Sequence, residues 1–249
     1  MKGERVDPEA RQGQVAGFSI ALRAFDLLAT SVLLVLIAPQ FALIALLIKL
    51  DSRGPVFYRC ARVGRGGRTF SMLKFRKMAD DAGGPPLTVA ADTRFTRVGR
   101  LLAASKLDEL PQLWNVMKGD MSLVGPRPED PSFVALRQEE FEEVLRVRPG
   151  ITGLSQLAFV REGRILDPSA LHDYYVERLL PQKIHIDRLY ARNCSLALNL
   201  SILFWTVVAV GLKKDVAVNR EDGSLGVRRR PSVKRTRELA DSALLGSRR

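Results

Sequence analysis

The sequence predicts an α+β fold, mostly helical with one small β-hairpin, that is held at a membrane by a Pro-kinked re-entrant helix. Three observations carry this reading. Residues 27–48 form an uncharged apolar run, long enough at about 1.5 Å per residue to cross a bilayer core. Residues 56–63 and 69–75 are strand-like and flank the turn Gly64-Arg-Gly-Gly67. Leu110, Leu113, Trp114 and Met117 recur at helical spacing, with Gly119 as a stop.

Taken in order, residues 1–18 are a polar leader with Lys2, Arg5 and Arg11. Residues 19–50 hold the membrane helix. Its apolar run is too long for a cleaved signal peptide, and no small-residue cleavage site follows it. Pro39 sits near its middle, where a missing N–H bends or breaks a helix. Basic residues flank the run on both sides, Arg11 and Arg23 before it and Lys49, Arg53 and Arg59 after it. The positive-inside rule then puts both ends in the cytoplasm. A helix that enters, kinks at Pro39 and returns satisfies both facts; a kinked spanning helix is the other reading.

Residues 51–193 form the expected cytoplasmic catalytic region. After the hairpin come a loop over 80–92, a basic helix over 95–104 and the helix that begins near residue 108. A charged helix over 131–148 is closed by Pro149-Gly150, residues 151–156 look like a turn, and 169–191 read as another helix. The glycines of the hairpin are no dinucleotide fingerprint, because no helix pattern follows them. Residues 194–213 hold a second apolar stretch, short for a span and read as an interfacial helix. Residues 214–249 read as a basic, disordered tail able to touch anionic membrane lipid.

The formal net charge of +12 favours anionic partners: nucleic acid, lipid headgroups or phosphorylated substrates. Cys60 and Cys194 have no metal or redox spacing and suit a reducing compartment. His172 and His185 are the only histidines, which argues against a His-rich metal site or a Ser-His-Asp relay.

The residues richest in chemistry are Asp108-Glu109-Leu-Pro111. Proline is tolerated in a first helical turn, so Asp108 is expected near the N-cap with Glu109 just inside. A helix start keeps carboxylates ionised and attracts phosphate. An aspartate can attack phosphorus to form an acyl phosphate, and a neighbouring glutamate can hold Mg²⁺. Such a pair is equally an ordinary capping pair. Arg127 lies between Pro126 and Pro128, which restrict its backbone; its guanidinium can grip phosphate oxygens with two parallel hydrogen bonds. Lys74, Arg76, Arg97 and Arg100 could line a diphosphate site, or simply form a solvated basic face.

Together these residues resemble the bacterial sugar transferase family, the monotopic phosphoglycosyl transferases. The resemblance runs from about Arg23 to Val208. It includes Leu50-Asp-Ser-Arg-Gly-Pro-Val-Phe-Tyr58, Lys74-Phe-Arg76, Thr96-Arg-Val-Gly-Arg100, Leu107-Asp-Glu-Leu-Pro-Gln-Leu-Trp-Asn115, Gly119-Asp-Met-Ser-Leu-Val-Gly-Pro-Arg-Pro-Glu129 and Arg148-Pro-Gly-Ile-Thr-Gly-Leu-Ser155. Several motifs in one order are far more specific than any one of them. The resemblance implies a re-entrant helix, Asp108 as nucleophile, Glu109 as an Mg²⁺ ligand and Arg127 as a phosphate contact. It implies transfer of a sugar phosphate from a nucleotide diphosphate sugar, with UDP the expected nucleotide, to undecaprenyl phosphate at the cytoplasmic face of the bacterial inner membrane. This would start a lipid-linked glycan.

Two departures stand out. Ala38-Pro39 replaces the family's frequent Ser-Pro, so the hydroxyl that would meet a freed carbonyl is missing. Residues 196–212 lack the charge usual in the late helix. Larger relatives carry several transmembrane helices ahead of the catalytic part, so the chain looks like a minimal form.

Two other functions compete with the transferase. Net charge alone suggests a nucleic-acid-binding membrane protein, but neither aromatic-basic interleaving nor a recognition helix is present, so no nucleic acid is expected as a partner. A catalytically inactive scaffold for glycan assembly is the other alternative. The intact Asp-Glu pair and Pro-Arg-Pro loop argue against it.

Overall fold

The computed structural model describes residues 8–79, 92–160 and 171–227, with only the backbone of residues 8–19 and 171. The leader before residue 8, the loop over 80–91 and the tail after 227 lie outside the described residues.

The first element, α1 (Pro8–Asp51), is one continuous helix of 44 residues with Pro39 inside it. It begins within the stretch read as a polar leader. Within it, Ile20–Asp51 is long and apolar enough to cross a membrane by length and composition. Leu28, Val35, Leu36 and Leu50 on α1 are exposed. The Gln40 amide, with its nitrogen turned toward the helix, donates to Leu36 O and Ile37 O at 3.1 Å each.

The hairpin forms as expected. β1 (Phe57–Val63) pairs antiparallel with β2 (Thr69–Phe75) around a 3₁₀ turn at Arg65–Gly67. Gly66 and Gly67 take the positive φ values of 70° and 75° that this turn needs. Helix α2 (Arg97–Ser105) follows, its N-terminus capped by Thr96, whose hydroxyl accepts from Gly99 N.

Elsewhere the elements are shorter than the sequence suggests. The helix expected from residue 108 starts later: Leu107–Glu109 is a 3₁₀ turn and α3 spans Gln112–Lys118. The physical reason is Pro111. Without an N–H it cannot join an i→i−4 ladder, and its neighbours bond i→i−3 instead: Leu110 N to Leu107 O (3.2 Å), Leu113 N to Leu110 O (3.1 Å) and Trp114 N to Pro111 O (3.0 Å). Asp108 and Glu109 therefore precede α3 rather than cap it.

The helix expected over 131–148 is broken into α4 (Pro131–Leu136), α5 (Gln138–Phe141) and a 3₁₀ turn at Val144–Arg146. Arg137 leaves helical geometry between them, and its guanidinium bonds to Glu140 and to Val176 O. The stretch 151–156, read as a turn, instead contributes Ile151 and Thr152 to strand β4 (Gly150–Thr152), parallel to β3 (Ser122–Val124). Helix α6 (Leu154–Ala158) comes next. The helix expected over 169–191 appears as α7 (Leu171–Tyr174), a π-turn at Tyr175–Leu179 and α8 (Leu180–Asn193). The late apolar stretch is α9 (Leu196–Thr206) with a π-turn at Val207–Gly211. Residues 214–227 are not tail. They contain a hairpin of β5 (Val216–Val218) and β6 (Leu225–Val227), whose turn uses Gly223 at φ 75°.

The main core joins α3, β3, α6, α8 and α9 through Val116, Met121, Val124, Leu154, Ile186 and Ile202. Phe25, Ala29, Leu34 and Ile37 of α1 pack against it. A second cluster joins Ile44 and Ile48 of α1 to Phe75 and Leu102. Phe204, Val207 and Leu212 at the end of the chain's second apolar stretch are exposed, as are Leu101, Leu107 and Trp114 around the 3₁₀ turn. Exposed apolar surface of this extent, with α1, marks the protein as membrane-associated.

Both ends of the apolar part of α1 are fastened to the same body. Arg23 donates to Val116 O (2.7 Å) and Met117 O (3.0 Å). The buried Asp26 accepts from the Ser122 hydroxyl (2.8 Å) and Leu123 N (3.1 Å). At the other end, Asp51 accepts from Val98 N (2.9 Å), and Arg76 donates to Ser52 O and to Arg53 O.

Candidate active site

Asp108 and Glu109 sit in the 3₁₀ turn between α2 and α3, after Lys106 in left-handed conformation (φ 61°). Both carboxylates face cations. Lys74 of β2 donates to Glu109 Oε1 at 3.1 Å, and Arg127 Nη2 approaches the same oxygen at 3.6 Å. Lys77 lies 3.4 Å from Asp108 Oδ2. Burial alone would raise the pKa of Glu109, but Lys74, Arg127 and Lys106 outweigh it and hold the carboxyl well below its usual range. Burial pushes the Lys77 ammonium down, and Asp108 opposes that shift.

Three neighbours fix this geometry. Asn115 of α3 is fully buried and ties the helix to the hairpin: its amide donates to Ser71 O (2.8 Å) and accepts from Leu73 N (2.9 Å). That bond sets Lys74 opposite Glu109. The Arg127 loop hangs from the β3–β4 pair, through Gly125 N to Thr152 O (2.9 Å) and Gly150 N to Pro126 O (2.8 Å). A Cβ on Gly150 would collide with Gly125 N, and one on Gly153 with Gly125 O, so this close approach requires glycine. Behind the loop, Glu129 accepts from the Tyr175 hydroxyl (2.9 Å) and pairs with Lys183 at 3.6 Å. Asp187 of α8 is buried there too, and burial pushes its carboxyl up to about 7.

Of the residues proposed from sequence, Asp108, Glu109, Lys74 and Arg127 are brought together. Arg76 is not. It is buried and turned toward the end of α1, where it clamps the carbonyls of Ser52 and Arg53. Once β2 ends at Phe75, strand alternation no longer keeps residues 74 and 76 on one face. Arg97 is exposed on the first turn of α2, with Asp51 as its electrostatic neighbour, and Arg100 is exposed as well. Sequence reading missed Lys77, although it directly follows Lys74-Phe-Arg76, and it missed the supporting Asn115 and Asp187.

Among the described residues, no group of three or more His, Cys, Asp or Glu side chains forms a metal cage. Asp108 and Glu109 are the carboxylates present there, each paired with a cation, and Mg²⁺ is commonly held by one or two carboxylates plus substrate phosphates.

The paired carboxylates, with lysine and arginine around them, thus sit on a body fastened to a long apolar helix, the arrangement of a membrane-associated protein. The bacterial sugar transferase family model matches residues 18–213, and the chain belongs to that family. It is 41% identical over 190 residues to the UDP-glucose:undecaprenyl-phosphate glucose-1-phosphate transferase of Caulobacter vibrioides, covering 74% of this chain and 67% of that protein. It is also 41% identical over 194 residues to the undecaprenyl-phosphate glucose phosphotransferase of Komagataeibacter xylinus, covering 74% of this chain but 35% of that longer protein. The exopolysaccharide production protein ExoY of Rhizobium meliloti is 37% identical over 212 residues, covering 78% of this chain and 87% of that protein.

Proposed function

We propose that this protein transfers a sugar-1-phosphate from a UDP-sugar to undecaprenyl phosphate, the first membrane step of exopolysaccharide or related glycan assembly. The observation that carries this is the Asp108-Glu109 pair facing Lys74, Lys77 and Arg127. The family membership and the names of the relatives support the substrate classes.

In the proposed sequence, a carboxylate oxygen of Asp108 attacks the phosphorus bearing the sugar. The bond to the UMP oxygen breaks, and UMP leaves with that electron pair. The lipid phosphate then attacks the same phosphorus, and the electron pair of the cleaved bond returns to Asp108. Arg127 and Lys74 bind diphosphate oxygens, exchanging part of their hold on Glu109 for the substrate. Glu109, kept ionised by its neighbours, is the residue that would hold Mg²⁺. When bound, that ion would neutralise phosphate charge.

The helix α1 is proposed to re-enter, with both ends at the cytoplasmic face of the inner membrane. Attachment of both its ends to one body supports this, because a lipid phosphate lies at headgroup height and a re-entrant helix holds the site at that height.

The function is tested with purified protein, undecaprenyl phosphate, Mg²⁺ and a panel of UDP-sugars, measuring UMP release. Release that needs both the lipid and one or a few UDP-sugars is expected. No release with any UDP-sugar would favour an inactive scaffold instead.

A further inference from the structure

The two lysines beside the carboxylates are not equivalent. Lys74 reaches Glu109, whereas Lys77 reaches Asp108. Lys77 lies just past β2, and its backbone is held from two directions. Thr96 N donates to Lys77 O at 3.1 Å, and Gly99 packs so closely on that carbonyl that a Cβ there would collide with it. The side chain passes Phe95, whose ring centroid is 5.6 Å from the ammonium. The Asp108 side chain is 3% exposed and that of Lys77 26%. The carboxylate is thus largely covered, and the Lys77 ammonium beside its Oδ2 lies closer to the surface.

We propose that Lys77 is a further catalytic residue: its ammonium holds Asp108 Oδ2, leaving Oδ1 to attack, and stays there to stabilise the carboxylate when the lipid phosphate displaces it. This rests on Asp108 being the nucleophile. In the first half-reaction Oδ1 forms a bond to phosphorus and UMP departs. In the second, the phosphorus–Oδ1 bond breaks and its electron pair returns to the carboxylate. Lys77 keeps its proton throughout. A cation beside a carboxylate lowers its nucleophilicity but improves it as a leaving group. Its charge therefore matters most in the second step, while its hydrogen bond orients the first.

The two steps can be measured apart. Full-length enzyme with Mg²⁺ and the UDP-sugar that gives a UMP burst is followed for adduct formation by intact mass. Undecaprenyl phosphate is then added and loss of the adduct is timed. Lys77→Met should slow discharge by about 100-fold, with formation slowed much less. Lys77→Gln, a neutral donor, should bring formation back toward the wild-type rate while discharge stays slow. Thermal unfolding of both variants reports the fold. Rates equal to wild type in Lys77→Met would overturn the proposal. So would recovery of both steps by Lys77→Gln, or an equal fall in both steps that tracks a loss of folded enzyme. If wild-type enzyme forms no adduct at all, the covalent reading of Asp108 fails and this proposal fails with it. An adduct in wild type with unaltered kinetics in Lys77→Met overturns the role of Lys77 alone.

Discussion

Asp108→Asn is expected to lower turnover by a factor on the order of 10⁴ or more, the size of loss seen when an enzyme's nucleophile is removed. An amide oxygen lacks the charge to attack phosphorus, and the amide nitrogen is not a nucleophile. The substitution adds no volume, so the 3₁₀ turn and the packing around it should stay. The unfolding temperature and detergent extraction should match the wild type within a few degrees and within error. Turnover within tenfold of wild type would sink the covalent mechanism, or this assignment of it.

The second large effect concerns topology. With Cys60 and Cys194 replaced by serine, cysteines introduced as Arg5→Cys and Arg65→Cys should both be labelled from the cytoplasmic side only. Labelling from opposite sides would establish a spanning helix. Pro39→Ala restores a backbone donor and removes the ring that crowds the preceding turn. A helix of this length then has every means to cross, and conversion to opposite-side labelling is expected, with loss of activity. The bonds of Arg23 and Asp26 at one end and Asp51 at the other would be broken in that form. Same-side labelling retained in Pro39→Ala would show that these attachments, and not the proline, set the topology.

What could be read from the sequence was local. The hairpin followed from alternation and glycines, and the apolar run needed no tertiary information. The Asp-Glu pair and the Pro-Arg-Pro arginine stood out as motifs, and the structure places them together. What escaped depends on distant partners. The parallel pairing of residues 122–124 with 150–152 joins two three-residue strands, too short to leave a periodicity and made only when the chain returns. Lys77 meets Asp108 because Asn115 docks α3 on the hairpin, a bond that no spacing announces. Arg76 and Lys74 look alike in sequence, yet one enters the site and the other braces α1. The delayed start of α3 was legible in principle, since Pro111 forbids the bonds that an earlier start would need.

The most direct test of covalent transfer leaves the lipid out. Enzyme, Mg²⁺ and the correct UDP-sugar are incubated alone, and UMP and the enzyme's mass are measured. Transfer through Asp108 predicts a burst of about one UMP per active site and a sugar phosphate on the peptide containing Asp108, labile to base and to hydroxylamine as acyl phosphates are. Direct attack by the lipid predicts neither. A confirmed substrate that gives no burst and no mass shift would contradict the aspartyl intermediate.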